Sequence, residues 1–373
     1  MKRSFIREIL EHTSSKTISF AGGLPNAKLF PKEQLKRSAQ VIIDDASSLQ
    51  YGNSTGYKKL KEKIAKLYCD DGFPTSSSNI LITSGSQQAL DIIARYNNSK
   101  NITIEAPSYL GAMNIFNLNN MIIDTVELQN DGCDIEQFEQ SISKSKLAYL
   151  IPDFQNPTGI SYSANKRKAI VNIIKEQNAI LIEDAPYSDI YFKTKFECIS
   201  KNIPQNSYHL GSFSKVLAPS LRIGWIRADE KPLEPLIAYK EAMDLHTNGL
   251  TQFMLNNYLQ DNNQFENHKE KIRKTYAKNM QIFSSYLDEI LPQFEYIKPQ
   301  GGMFIYGKLK DINTKKLVEK CIEQDVVFVP GVEFYVNNKK QDEIRFNFTN
   351  TSASQIYKGL NIIKNIINKG DLK

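Results

Sequence analysis

Cysteine is scarce and scattered in this chain. The four residues, Cys69, Cys133, Cys198 and Cys321, show no CxxC spacing, which argues against a disulfide framework or a thiolate zinc site and fits reduced thiols in a cytoplasmic setting. Histidine is as sparse, with His12, His209, His246 and His268 far apart, and no metal cluster is expected. No apolar run reaches the roughly 20 residues that a membrane-spanning helix needs. The stretch Met1 to Glu8 lacks the apolar core of a signal peptide, so a soluble, cytoplasmic protein is expected. Blocks of one charge sign are also missing. The 47 Lys and Arg interleave with 41 Asp and Glu for a net charge of +6. Aromatic residues do not alternate with basic ones, so no nucleic-acid partner is expected. The mild positive balance still favours the approach of carboxylate substrates.

What is present is the composition of a globular protein: 373 residues, 41% hydrophobic and 24% charged, enough for two domains or one large domain with a satellite. Short apolar runs alternate with patterns of helical period, which predicts an α/β architecture around a mostly parallel sheet. The expected strands are 80–83, 101–104, 121–123 onward, 147–151, 179–183, 207–211 and 223–226, a set of about seven. The C-terminal third differs. A polar helical stretch around 264–290 precedes short strands at 303–306, 326–329 and 344–348, and a last helix presents Ile356, Leu360, Ile363 and Ile367 on one face. Ser352 with Gln355 makes a capping box at its start. The expected division is a small α/β domain built from 1–40 and 266–373, with a large domain over 41–265.

In a parallel sheet, ligands gather beyond the C-terminal strand ends, and polar residues follow several of these strands. Thr83-Ser84-Gly85-Ser86-Gln87 follows the first; Ser86 can cap the next helix, whose first-turn N–H groups suit a phosphate. Glu105-Ala106-Pro107-Ser108-Tyr109 follows the second, its ring available either for stacking on a flat heterocycle or for the core. Gln155-Asn156-Pro157-Thr158-Gly159 is a turn sequence that also carries an amide to the same rim. Asp184 closes a nearly all-apolar strand, where an unpaired carboxylate is costly, so a cationic partner is expected. The next strand delivers Ser212-Phe213-Ser214-Lys215, with Arg222 seven residues beyond the lysine. Alone, that segment reads first as a solvated turn. With the other strand ends it reads as an amine poised for a Schiff base, beside hydroxyls and a guanidinium that hold a phosphate.

The ordered motifs SGSQQAL, PSY, NPTG, EDAPY, SFSK-x6-R and RFNF resemble the class I/II aminotransferases of the aspartate aminotransferase fold, which use pyridoxal phosphate. The segments ISFAGGLP, LFP, LQYG and PQGGMF are most similar to the branch holding 2-aminoadipate aminotransferases and the effector domains of MocR-type regulators. The likeness runs from about residue 4 to 350. It implies that Lys215 carries the cofactor as an internal aldimine and later moves the Cα proton, and that Asp184 pairs with the pyridine nitrogen. Asn156 and Tyr187 would bond the ring O3′ and Tyr109 would stack on the ring. Gly85, Ser86, Gln87, Ser212, Ser214 and Arg222 would form the phosphate cup. Arg345 would clamp the substrate α-carboxylate, with Gly23 and Asn156 beside it. Tyr51 would reach the phosphate of a neighbouring subunit, which requires a homodimer with shared active sites.

The strand alternation around Arg345 fits an outward surface arginine as well as a clamp; the resemblance selects the clamp. Arg7 occupies the place from which this branch can contribute a side-chain-recognising arginine, and reads either as that or as a surface residue of an amphipathic helix. The implied reaction is ping-pong transamination between an L-amino acid (2-aminoadipate, aromatic or branched) and a 2-oxo acid such as 2-oxoglutarate. Lys215 and Asp184 would serve a lyase acting at Cβ equally well. A ligand-sensing regulatory domain without turnover is a further alternative, disfavoured because few residues precede the GGLP motif.

Overall fold

The computed structural model describes residues 14, 16–97, 99–337, 340–370 and 372. Arg7 lies outside them. Its strands, numbered along the chain, begin with the two-residue β1 (Ile18–Ser19) and continue with the members of one eight-stranded sheet. These are β2 (Ile80–Thr83), β3 (Asn101–Ala106), β4 (Ile122–Gln129), β5 (Gly132–Cys133), β6 (Leu147–Leu150), β7 (Ile180–Asp184), β8 (Ser207–Ser212) and β9 (Gly224–Arg227). The sheet order is β2-β9-β8-β7-β6-β3-β4-β5. Pairs from β4 through β8 are parallel, whereas β9 runs antiparallel to both its neighbours and β5 folds back on β4. All seven expected strands are present. The eighth, β5, is a two-residue return after the turn Asn130-Asp131, too short for a periodicity to register.

Continuous apolar runs form the central strands because both faces are covered; β6 and β8 are buried along their whole length. Two of the helices between them begin at side chains that accept from first-turn N–H groups, Asp134 at Gln137 and Ser163 at Lys166, satisfying donors that a helix leaves unpaired.

The C-terminal third builds a second sheet, β10 (Phe294–Tyr296), β11 (Phe304–Leu309), β13 (Val329–Pro330) and β14 (Glu343–Asn347), in the order β10-β11-β14-β13. The expected strand over 326–329 is split: β12 (Val326–Val327) pairs instead with β1. Phe328 sits between the two pieces, fully buried, and packs edge-on to Phe346. The N-terminal segment joins this part through β1 and through Phe20, whose ring meets Phe283 at 5.2 Å and Phe346 at 5.8 Å. The helix Lys32–Ile43 packs against Gly249–Tyr258, and a 29-residue helix, Asn262–Ile290, crosses from one part to the other. The last helix, Ala353–Asn368, begins at the expected Ser352/Gln355 capping box. No helix of the described residues is long and apolar enough to cross a membrane.

Candidate active site

The C-terminal ends of β3, β6, β7 and β8 face one cleft, and the antiparallel β9 brings in a further element. Gly224, its first residue, is registered against both Thr83 at the end of β2 and Ser212 at the end of β8. The turns following β2 and β8 therefore converge with the segment that precedes β9, which carries Arg222. The N-cap of the helix Ser86–Tyr96 is Gly85, not Ser86, and no side chain caps that end. A φ of +88° at Gly85 explains the shift, since this left-handed region favours glycine. The first-turn N–H groups are left without a side-chain acceptor, the arrangement that receives an anion. A Cβ on Gly85 would lie 2.6 Å from Arg222 Nη2, and one on Gly224 would lie 2.8 Å from the Gly85 backbone. Both positions must stay bare for the cup to close.

Arg222 adopts a left-handed conformation, φ +52°, and is held by the Ser84 carbonyl at 2.8 Å while its guanidinium remains exposed. Ser212 Oγ accepts from the Ser214 N–H at 3.1 Å, so both expected serines belong to the turn carrying Lys215. Gln87 is exposed in the first helical turn.

Lys215 reaches across the cleft and donates to the Gly23 carbonyl at 3.0 Å. Burial, helped by the charges of Arg345 and Arg222 and opposed by Asp184, brings its amine down to about 8. Asp184 ends β7 with one oxygen accepting from Tyr149 Oη at 2.8 Å and the other buried without a partner. Burial raises its carboxyl to about 6, against the Tyr149 hydrogen bond and the Lys215 charge. The expected cationic partner thus exists only as a nearby amine, and one acceptor still faces the cleft unmatched.

Arg345 is buried at 2% exposure on β14, so it is not a surface residue: it points inward. It donates to Asn156 Oδ1 at 2.8 Å and the Ala21 carbonyl at 2.5 Å. Its guanidinium carbon stands 4.3 Å from the Phe304 ring centre and 4.9 Å from that of Phe334. Its hydrogen-bond partners are neutral and its Nε has none. Burial lowers it to about 10. A desolvated cation in this state favours an anionic ligand. Asn156 also donates to Tyr187 Oη at 3.4 Å, and burial raises the Tyr187 phenol. Tyr109 is half-buried, its ring lying over Gly111, where a Cβ would approach it to 2.4 Å. Tyr51 stands apart, 80% exposed and edge-on to His246 at 5.8 Å.

Residue types alone did not single out Tyr149, Phe304, Phe334 or Gly224. Tyr149 carried one signal, a hydroxyl in an otherwise apolar buried strand, where it needs a partner. Cys198 and His209, far apart in the sequence where no metal cluster was expected, come together with Glu183, their ligand atoms within 4.8 Å of one another. There Glu183 accepts from the Ile199 and Ser200 N–H groups and His209 Nδ1 bonds Tyr68.

Residues 21–363 match the family described as aminotransferase class I and II. The chain belongs to this family. Within it, the chain is 33% identical to the 2-aminoadipate transaminase of Thermus thermophilus, over 96% of this chain and 92% of that one. It is 32% identical to the aromatic-amino-acid aminotransferase 1 of Thermococcus litoralis, over 96% and 90%. A solved aminotransferase, the α-aminoadipate enzyme of Thermus thermophilus complexed with N-(5′-phosphopyridoxyl)-L-leucine, superposes with a TM-score of 0.91. It shares 31% identity and covers 99% of this chain and 95% of its own. The large mostly parallel sheet with a smaller α/β part is the architecture that the alternation of strands and helices predicted, and the aminotransferase fold is the one that the resemblance implied.

Proposed function

We propose that this aminotransferase binds pyridoxal phosphate in the cleft described above and moves the amino group of an L-amino acid to a 2-oxo acid in two half-reactions. The observation that carries the reading is the pairing, in one cleft, of a lysine amine brought down to about 8 with a buried arginine lacking an anionic partner. The residues fit the cofactor. The free Asp184 oxygen matches a protonated ring nitrogen, the bare Gly85–Gly224 cradle with the uncapped helix start and Arg222 matches a phosphate, and Lys215 supplies the amine. When bound, the cofactor supplies an electron-withdrawing ring that accepts the electron pair released at the substrate Cα.

The roles of the chain's own residues follow. Asp184 holds a proton on the ring nitrogen. Asn156 and Tyr187 bond the ring oxygen and Tyr109 covers the ring face. Arg345 fixes the substrate α-carboxylate, beside Gly23, and so aims the Cα–H at Lys215. Lys215 would accept that Cα proton and pass it on to the bound cofactor. An amine brought down to about 8 is suited to both transfers near neutral pH.

The exposed Tyr51 supports a homodimer in which it reaches the partner's phosphate. The free thiols support a cytoplasmic location, and we retain the division into 1–40 with 266–373 and 41–265. The relatives' names put 2-aminoadipate and aromatic donors first; 2-oxoglutarate would be the acceptor, and Arg7 would read a distal carboxylate. The test is a single-turnover panel of L-amino acids on the cofactor-loaded protein. Release of one 2-oxo acid per site, reversed by 2-oxoglutarate, is expected. Loss of a Cβ substituent with no amino transfer would replace this reading with the lyase.

A further inference from the structure

The carboxyl of Glu105, at the end of β3, is fully buried and receives three different donors. Tyr162 Oη approaches at 2.7 Å, the Ile151 N–H at 3.3 Å and Gln155 Nε2 at 3.1 Å. Tyr162, Ile151 and Gln155 are themselves buried, and the reaction as described makes no use of this carboxyl.

Gln155 explains the arrangement. Its side chain is fully buried and every polar position on it is engaged. Nε2 donates to Glu105 and, at 2.8 Å, to the Pro107 carbonyl. Oε1 accepts from the Thr158 N–H at 2.9 Å and the Thr158 hydroxyl at 2.8 Å. The amide orientation follows from these neighbours, two acceptors at one end and two donors at the other. One side chain thus ties together two loops that leave different strands. The Pro107 loop presents Tyr109 two residues later, and the loop closed by Thr158 presents Asn156, itself bonded to Arg345 and Tyr187. Burial raises Glu105 to about 8, against the donors that surround it. Such a network holds its geometry only while each member is satisfied.

We propose that Gln155, anchored by the buried carboxyl of Glu105, is the positioning residue that sets Asn156 and Tyr109 in register with each other across the cleft. The proposal rests on the reading of the cleft as a pyridoxal-phosphate site. Gln155→Leu keeps the volume and removes the four bonds; Glu105→Met keeps the length and removes the acceptor to which Gln155 Nε2 donates.

Both variants are measured against the wild type for cofactor dissociation constant, pH midpoint of the bound cofactor's visible absorption, kcat, KM and thermal midpoint. Failure of the wild type to bind cofactor would remove the underlying reading and is distinguishable from failure here. For a positioning role we expect cofactor binding weaker by roughly tenfold, a moved absorption midpoint, and kcat lower by about 100-fold with KM changed far less, the scale of an ångström-sized misplacement. A folded variant with wild-type absorption midpoint and kcat would overturn the proposal. So would loss of the fold in both variants, which would make the network a folding device.

Discussion

Arg345 and Asn156, 189 residues apart in sequence, meet at 2.8 Å through Nη1 and Oδ1, and the same asparagine then reaches Tyr187 at 3.4 Å. The group that would hold a substrate carboxylate and the groups that would hold the cofactor ring oxygen are therefore one connected unit. Substitution of Arg345 should disturb both functions unequally. Arg345→Gln is expected to raise the KM for amino acid and to lower kcat/KM by roughly 30-fold or more, because losing one partner of a buried charged contact costs about 2–5 kcal/mol. Cofactor affinity should fall much less. Steady-state kinetics beside equilibrium cofactor titration checks the split; an unchanged KM would remove Arg345 from the substrate site.

Lys215→Ala should abolish both the visible absorption of the loaded protein and amino transfer, since the side chain supplies the covalent link and the base. The tell-tale measurement is colour after exhaustive dialysis: a yellow, active alanine variant would contradict the assigned role.

The amine of Lys215, at about 8 against an ordinary 10.5, makes a signed prediction. The folded protein binds fewer protons there than the unfolded chain between those two values, so the cofactor-free protein gains stability from this group as the pH rises through that window. Below about pH 8 the buried charge is a penalty that Lys215→Met does not carry. The thermal midpoint of the methionine variant should exceed the wild type's at pH 7, with the gap closing toward pH 10.5. A gap independent of pH would mean the amine keeps its ordinary affinity for protons.

Asp184, raised to about 6, behaves with the opposite charge. Its folded-state value lies above the ordinary 3.8, so the stability it contributes is present at low pH and is lost as the pH rises through about 6. Cofactor binding should reverse that loss by pairing the ionised oxygen. The rise in thermal midpoint on adding pyridoxal phosphate should therefore be larger at pH 7 than at pH 5, and Asp184→Asn should flatten the difference. Equal rises at both pH values would rule out the proposed pairing.

Gly85→Ala places a Cβ 2.6 Å from Arg222 Nη2 at a φ of +88°. We expect a folded protein, destabilised by about 1–3 kcal/mol, with cofactor binding weakened by roughly tenfold or more. Denaturant unfolding and cofactor titration together check it; unaltered affinity would mean that Arg222 and the helix start do not share a ligand.

Much of this arrangement was legible in the chain itself. Apolar runs ending in polar residues marked β7 with Asp184 and β8 with the Lys215 turn, because buried strands and their rims obey different chemistry. Arg345 was legible only as an alternation with two solutions; burial between Phe304 and Phe334 decided it, a fact about packing that one strand cannot carry. Ser86 seemed the natural cap by residue type. The left-handed turn at Gly85 took that place because Arg222 leaves no room for a side chain. The division of the 326–329 run between two sheets was equally hidden, since Phe328 contributes to a core assembled from segments far away in sequence.

The position of β9 has a consequence for synthesis of the chain. In the large sheet β2 has a single neighbour, β9, which also separates it from β8. A nascent polypeptide that ends before Arg222 has therefore made the Gly85 turn but has no strand to dock it and no Arg222 to complete it. Competence to capture the cofactor would then arrive with the last strand of the sheet, and capture would report that β2 has docked.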